Sequence, residues 1–196
     1  MPKAPLLILL LTVAIYAQTS LYDKRDGKTY KTVKIGEQTW MAENLNYEAK
    51  LSVCYENKPE NCEKYGRLYN WETAMKSCPA GWRLPSNEEW QTLVNLAGGD
   101  KVAGKKLKAK NGWSDYEGKS GNGMDEYGFS ALPGGHCNVN LGSLHFYNVG
   151  YFGLWRSATE AGSNYTYQLS MSNVFEYTEL YDVGKVGLTS VRCVKD

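Results

Sequence analysis

The sequence predicts a loop-rich α+β domain in which two short helices are covered by a β-rich remainder. Three observations predict it. Two capped helical stretches with one apolar face each lie between Asn70 and Gly99. Much of the remaining chain alternates with the period of a strand. The count of 20 Gly, 15 Tyr and 6 Trp against 4 Phe suits many turns and shallow, aromatic-rich packing. Helices that are wet on one face must be covered on the other, and only the β-rich remainder of the chain can cover them.

At 196 residues, with 42% hydrophobic and 22% charged residues, the chain suits one compact domain plus a targeting segment. The 22 basic and 21 acidic residues provide no general field for nucleic acid or for an anionic membrane, so neither is an expected partner. Residues 1–17 read as a secretory signal peptide. Lys3 supplies the positive start, and the run from Ala4 to Ala17, apolar except at Thr12, is too short to span a bilayer comfortably. No cysteine follows it, which argues against a lipoprotein anchor, and no membrane span is expected after cleavage. Residues 18–26 are polar and read as a flexible lead, leaving 27–196 as a single domain.

From Lys28 to Leu45 the pattern reads as two strands around a turn at Ile35-Gly36-Glu37-Gln38, with Tyr30, Val33, Trp40 and Met41 as anchors. This hairpin is expected at the edge of a sheet that the C-terminus later joins. All 5 cysteines follow the signal, and export favours disulfides while leaving one thiol unpaired. The stretch from Cys54 to Cys62 is polar and contains the turn tetrapeptide Asn57-Lys58-Pro59-Glu60, so a local bridge between its ends is geometrically easy.

Asn70 caps the first predicted helix, whose stripe is Trp71, Ala74, Met75 and Cys78, and Pro79 ends it. In the second, Ser86 and Glu89 have capping-box spacing. Trp90, Leu93, Val94 and Ala97 form the stripe, and Gly98-Gly99 stops it. From Asp100 to Gly121 the chain is rich in Lys and Gly and reads as a solvated face. Gly121 to Glu126 reads as turn chemistry, because it lacks the oxygen-ligand ladder of a calcium loop. Tyr127 to Leu132 reads as a strand closed by Pro133-Gly134-Gly135. The segment from Phe146 to Ala158 is dense in aromatics with Gly150 and Gly153 between them, which suits bent or closely approached strands. Tyr165 to Ser172 alternates as a half-buried strand, with Tyr165, Tyr167, Leu169 and Met171 on one face. In the last stretch, Gly187 to Val194, Val191 and Cys193 share a face.

The stretches DGKTYKTVKIGEQTWMAENLNY, YGRLYNWETAM, CPAGWRLPSNEEWQTL, GNGMDEYGFSALPGG, LWRSATE and SVRCVKD, in that order, resemble the Fibrobacter succinogenes major paralogous domain, a family of secreted bacterial proteins. WRLPSNEEW with a terminal V-R-C-V is more distantly similar to formylglycine-generating enzymes and other C-type lectin-like folds. That resemblance implies a lectin-like topology in which helices and the first and last strands enclose loops. It also implies a Cys78–Cys193 bridge, worth about 4–5 kcal/mol in the chain-entropy treatment. Cys54–Cys62 then takes the local pair, and Cys137 is left as a free or dimerising thiol.

The oxidase chemistry of formylglycine-generating enzymes uses two cysteines binding copper, and a shared fold does not carry a shared site. His136, Cys137 and His145 match no closed zinc pattern, Asp125, Glu126 and Glu160 are not spaced as a catalytic pair, and the calcium-binding triplets of true C-type lectins do not occur. No catalytic residue, metal or cofactor is expected. The candidate binding surface lies in residues 136–165, where His145, Tyr147, Tyr151, Trp155 and Arg156 offer stacking faces and a bidentate donor; the competing reading places Tyr151 and, more readily, Trp155 in the core. The expectation is a secreted, non-catalytic binding module at a bacterial cell surface that recognises a polysaccharide or a surface protein. The alternatives are an enzyme on the formylglycine-generating scaffold and a matrix protein self-associating through Cys137.

Overall fold

A computed structural model describes residues 18–196, so the expected signal segment lies outside the described residues. In chain order the elements are β1 (Gln18–Tyr22), β2 (Thr29–Ile35), β3 (Gln38–Met41), α1 (Pro59–Tyr65), β4 (Leu68–Tyr69), α2 (Trp71–Ala74), β5 (Trp82–Arg83) and α3 (Asn87–Leu96). Then come α4 (Asp100–Leu107), β6 (His136–Asn140), β7 (Ser143–Tyr147), β8 (Phe152–Glu160), β9 (Tyr165–Ser172), β10 (Thr178–Gly184), β11 (Thr189–Ser190) and β12 (Val194–Lys195). The architecture is α+β. One sheet has the order β1-β2-β3-β12-β5, a second has β10-β9-β8-β11-β4, and β6 and β7 form a separate hairpin.

The early hairpin forms as its sequence requires: Ile35 pairs with Gln38 across Gly36, whose φ is 59°. The C-terminus joins it, Val194 of β12 pairing with Trp40 of β3 and with Arg83 of β5. The lead differs from expectation. Residues 18–22 are a strand, pairing in register from Gln18 with Val33 to Tyr22 with Thr29. The following turn is pinned by Asp23, which is 1% exposed and accepts from Arg25 at 2.6 Å. Composition could not show this, because an edge strand needs only backbone partners.

Capping chemistry sets the helices. Asn70 accepts from the Thr73 backbone N–H at 2.9 Å, and Ser86 and Glu89 form the full capping box of α3. Trp90, Leu93, Val94 and Ala97 are fully buried, as their spacing requires. The stripe expected on the first helix is cut short: α2 closes after one turn, Ala74 is buried and Met75 is 44% exposed. Two further helices were not expected. Pro59 opens α1 instead of sitting inside a turn, as proline does at a first helical position. The Lys-rich segment begins with α4, which buries Ala103, Gly104 and Leu107.

The main core lies where α3 and α4 meet both sheets. Trp40 and Trp90 stack tilted at 4.7 Å between ring centroids, and Phe129 meets both edge-on at 5.9 Å and 6.3 Å. Residues 127–132 are not a strand. Phe129 and Ala131 are buried and Ala131 exchanges backbone bonds with Leu107 and Ala109, so the segment fills the core instead of extending a sheet. Nor is β9 half-buried. Flanked by β8 and β10, it covers Thr166, Gln168, Ser170 and Ser172 as well as Leu169 and Met171. Its polar face is sustained by bonds such as Thr166 Oγ1 to Thr159 O at 2.9 Å.

A buried polar junction sits between the sheets. Asn44 Oδ1 accepts from Trp155 Nε1 at 2.8 Å and from Arg192 Nη2 at 2.9 Å, while its Nδ2 donates to Tyr65 O at 2.8 Å. Arg192 is fully buried, donates also to Phe129 O and Ser130 O, and lies 4.2 Å above the Phe129 ring. Both disulfides are intrachain: Cys54–Cys62 closes a short loop, and Cys78–Cys193 ties the turn after α2 to the residue before β12, with Cα atoms 5.9 Å apart.

Candidate functional site

The five residues proposed as a binding surface do not converge. His145 and Tyr147 lie on β7, opposite Asn138 and His136, on the outer face of the separate hairpin. Tyr147 is 44% exposed and stacks on the His136 ring at 5.4 Å. Tyr151, 49% exposed, sits in the turn before β8 and accepts from Asn173 N at 2.9 Å.

Trp155 and Arg156 must be removed from any surface, since both are fully buried. Strand β8 runs between β9 and β11, which leaves neither edge open, and each of its faces is covered by other parts of the chain at these two residues. Trp155 enters the junction with Asn44. Arg156, on the opposite side of the strand, donates to Gly184 O at 3.3 Å and Gly187 O at 2.5 Å and so braces the turn between β10 and β11. Burial pulls its guanidinium down to about 10.

Cys137 is unpaired but is not an accessible dimerising thiol. It is fully buried, in a cluster with Tyr55, Leu68 and Leu188, and burial pushes its thiol pKa up.

A different site is built around Lys108. α4 delivers it by approaching the segment after β9, an approach that Gly104 permits: a Cβ there would lie 2.6 Å from Tyr177 O and 2.7 Å from Glu176 O. Lys105 N donates to Glu176 O at 3.0 Å across the same contact. On the other side Gly123 passes so close that a Cβ would lie 2.2 Å from Lys108 O. The chain 123–126 runs back along the end of α4, with Met124 N donating to Lys105 O and Asp125 N to Lys108 O. The Asp125 carboxylate is occupied by Ser130, whose N–H and hydroxyl both donate to it at 2.6 Å.

Lys108 is 2% exposed. Its ammonium donates to Ser172 O at 2.8 Å and Phe175 O at 3.2 Å and lies 5.0 Å from the Trp113 ring, with no carboxylate in ion-pair range among the described residues. Burial, reinforced by Lys105, lowers its pKa to about 8, so it stays charged at neutral pH. A cleft of about 220 Å³ opens beside it, lined also by Lys105, Tyr116, Lys119, Ser120, Asn173, Phe175 and Glu176. Tyr116 and Phe175 are 47% and 48% exposed, and Phe175 is stacked on Tyr177 at 4.7 Å. Asn173 joins this cleft to Tyr151, since its side chain donates to Ser114 O at 3.0 Å and its backbone N–H donates to Tyr151 O. A larger groove of about 620 Å³ runs beside β10 over Gln91, Asp100, Leu180 and Tyr181, but it is shallow and holds no buried charge.

The buried ammonium has a measurable consequence. Between about pH 8, where Lys108 loses its proton in the folded chain, and 10.5, its ordinary value, the unfolded chain holds more protons than the folded one. Its contribution to stability therefore rises with pH across that window, the full cost of burying the charge being present below it. The difference in unfolding free energy between wild type and Lys108→Met is expected to shift in favour of wild type by up to about 3 kcal/mol from pH 8 to 10.5. Urea titrations at half-unit steps check this; a flat difference would show that Lys108 is not held charged in a desolvated site.

Sequence reasoning passed over Lys108 and Phe175. The lysines at 105, 106, 108 and 110 were visible as a run, but nothing local distinguishes the one that is buried. Among the described residues no group of three or more His, Cys, Asp or Glu side chains comes together as a metal site, and no helix is long and apolar enough to cross a membrane. A family model described as the Fibrobacter succinogenes major domain matches residues 33–195. No curated protein and no solved structure matches the chain.

Proposed function

The chain belongs to the Fibrobacter succinogenes major domain family, and from that membership we propose that it is a secreted, non-catalytic binding module recognising polysaccharide at a bacterial cell surface. In this reading the α+β scaffold is of C-type lectin-like kind. The proposal is supported by the way the terminal strand β12 closes onto the early hairpin and is bridged to the turn after α2. The observation that carries the binding role is a pair of exposed aromatics, Tyr116 and Phe175, lining one small polar cleft, with exposed Tyr151 tied to the cleft residue Asn173 through its backbone. Apolar ring faces suit the apolar face of a sugar, and the tyrosine hydroxyls suit its polar rim.

A protein partner is the second reading, favoured by the hairpin. Its turn exposes Leu141 fully, with Val139 and Leu144 beside it at 44% and 36% exposure. An oxidase on the formylglycine-generating scaffold would need two free cysteines, and four of the five cysteines are tied in two bridges. Self-association through Cys137 would require the hairpin to open first.

Retention on insoluble cellulose, xylan and pectin tests the main reading. Wild type is expected to be held by at least one polymer. The triple variant Tyr116→Ala/Tyr151→Ala/Phe175→Ala, with unchanged circular dichroism, should lose about tenfold in affinity for each 1.4 kcal/mol of stacking removed. No retention of wild type, or full retention of the variant, would remove the polysaccharide reading.

A further inference from the structure

We infer that the cleft beside Lys108 takes a carboxylated sugar, a uronate unit of an acidic polysaccharide, an assignment that rests on the polysaccharide-binding reading above. Three lysines, Lys105, Lys108 and Lys119, line the cleft with Glu176 as the one acid among its lining residues. None of the three is in an ion pair among the described residues, although the chain as a whole is close to neutral at a net charge of +1. The positive charge is therefore a local property of this cleft, not the tail of a basic surface.

The central cation is also pre-organised. The Lys108 ammonium has three donors, of which the carbonyls of Ser172 and Phe175 use two. Its stem is buried and its head is already fixed and stripped of water, so a ligand that pairs with it pays little further ordering or desolvation of the protein side. A desolvated ammonium lacking a carboxylate is a group whose missing partner a bound anion can supply.

The walls determine what carries the anion. Exposed Tyr116 and Phe175 offer ring faces, which a bare inorganic ion cannot use and a pyranose ring can. The volume of about 220 Å³ falls below the roughly 300–1,000 Å³ of pockets for drug-sized ligands, so it admits one sugar unit with the rest of the polymer running out over the rim. Asn173 and Ser120 stand on the lining as hydrogen-bonding groups for ring hydroxyls. A flat ring bearing one carboxylate satisfies all of these features together.

The test compares binding of the purified protein to polygalacturonate and to the same polymer fully methyl-esterified, at fixed ionic strength, by affinity electrophoresis. Polygalacturonate is expected to bind about tenfold or more tightly than its ester, the preference one desolvated charge contact provides. Lys108→Met, with unchanged circular dichroism, should abolish that preference, and Lys105→Gln/Lys119→Gln should reduce it several-fold. Lys101→Gln/Lys110→Gln removes two exposed lysines of the same segment that do not line the cleft, and it should keep the preference. Equal binding of acid and ester would overturn the uronate assignment and leave the polysaccharide reading standing. The same loss from both lysine pairs would also overturn it, since the attraction would then be a diffuse charge effect. Absence of binding to either polymer and to the neutral ones would take down both readings.

Discussion

Asn44→Ala is expected to lower the unfolding free energy by about 3–5 kcal/mol, the range for breaking a buried, charged hydrogen-bond network from one side. One amide oxygen serves Trp155 Nε1 and the Arg192 guanidinium, and the amide nitrogen serves Tyr65 O. Removing it leaves an indole N–H and part of a guanidinium without partners where neither has access to water, both residues being fully buried. Arg192 keeps Phe129 O and Ser130 O, so the charge is not wholly abandoned. Asn44→Asp should cost less than alanine, because a carboxylate still accepts from Trp155 and Arg192 although the bond to Tyr65 O is lost. Asn138→Ala, on the exposed outer face of the hairpin, should stay within about 0.5 kcal/mol of wild type. Denaturant unfolding followed by tryptophan fluorescence measures all three. A loss below about 1 kcal/mol for Asn44→Ala would mean that solvent reaches the junction.

The second large effect is expected from Cys78→Ser/Cys193→Ser. The bridge spans a sequence separation of 115, and closing a loop of that length removes about 5 kcal/mol of chain entropy from the unfolded state. Cys54–Cys62, with a separation of 8, removes about 2.5 kcal/mol by the same relation. Paired serine variants, which leave no new thiol, should therefore differ by about 2 kcal/mol in unfolding free energy, with the 78/193 pair the less stable. The native state adds to the asymmetry. The C-terminal segment joins the sheets through β11 and β12, which contribute two residues each, so the bridge and Arg192 are its principal anchors. Equal losses for the two pairs would show that strain or residual unfolded structure, and not loop length, governs these bridges.

How much of this was legible in the sequence follows the range of the interactions. The caps at Asn70 and Ser86, the turn at Gly36 and the core stripe Trp90, Leu93, Val94 and Ala97 depend on residues within one turn of each other, and each is found where its spacing puts it. α4 was illegible because Gly104 counts against a helix locally, and its use appears only when the chain at Glu176 and Tyr177 packs against it. Trp155 and Arg156 carry the side chains of a recognition surface, but whether strand β8 is central or at an edge depends on β11, more than thirty residues later in the chain. Alternation in β9 identified a strand correctly and misjudged its polar face, which is buried through side-chain bonds to residues such as Thr159 and Tyr181 that alternation does not register.

The sequence by itself determined the class of the domain, its family, its capped helices and early hairpin, because these rest on short-range backbone chemistry and on motifs in fixed order. Only the tertiary structure decided which lysine lost its water, which aromatics stayed in it and which cysteine was shut away. Burial is a property of what packs on a residue from elsewhere in the chain, and desolvation is what turns Lys108, one of several similar lysines, into a distinct chemical group.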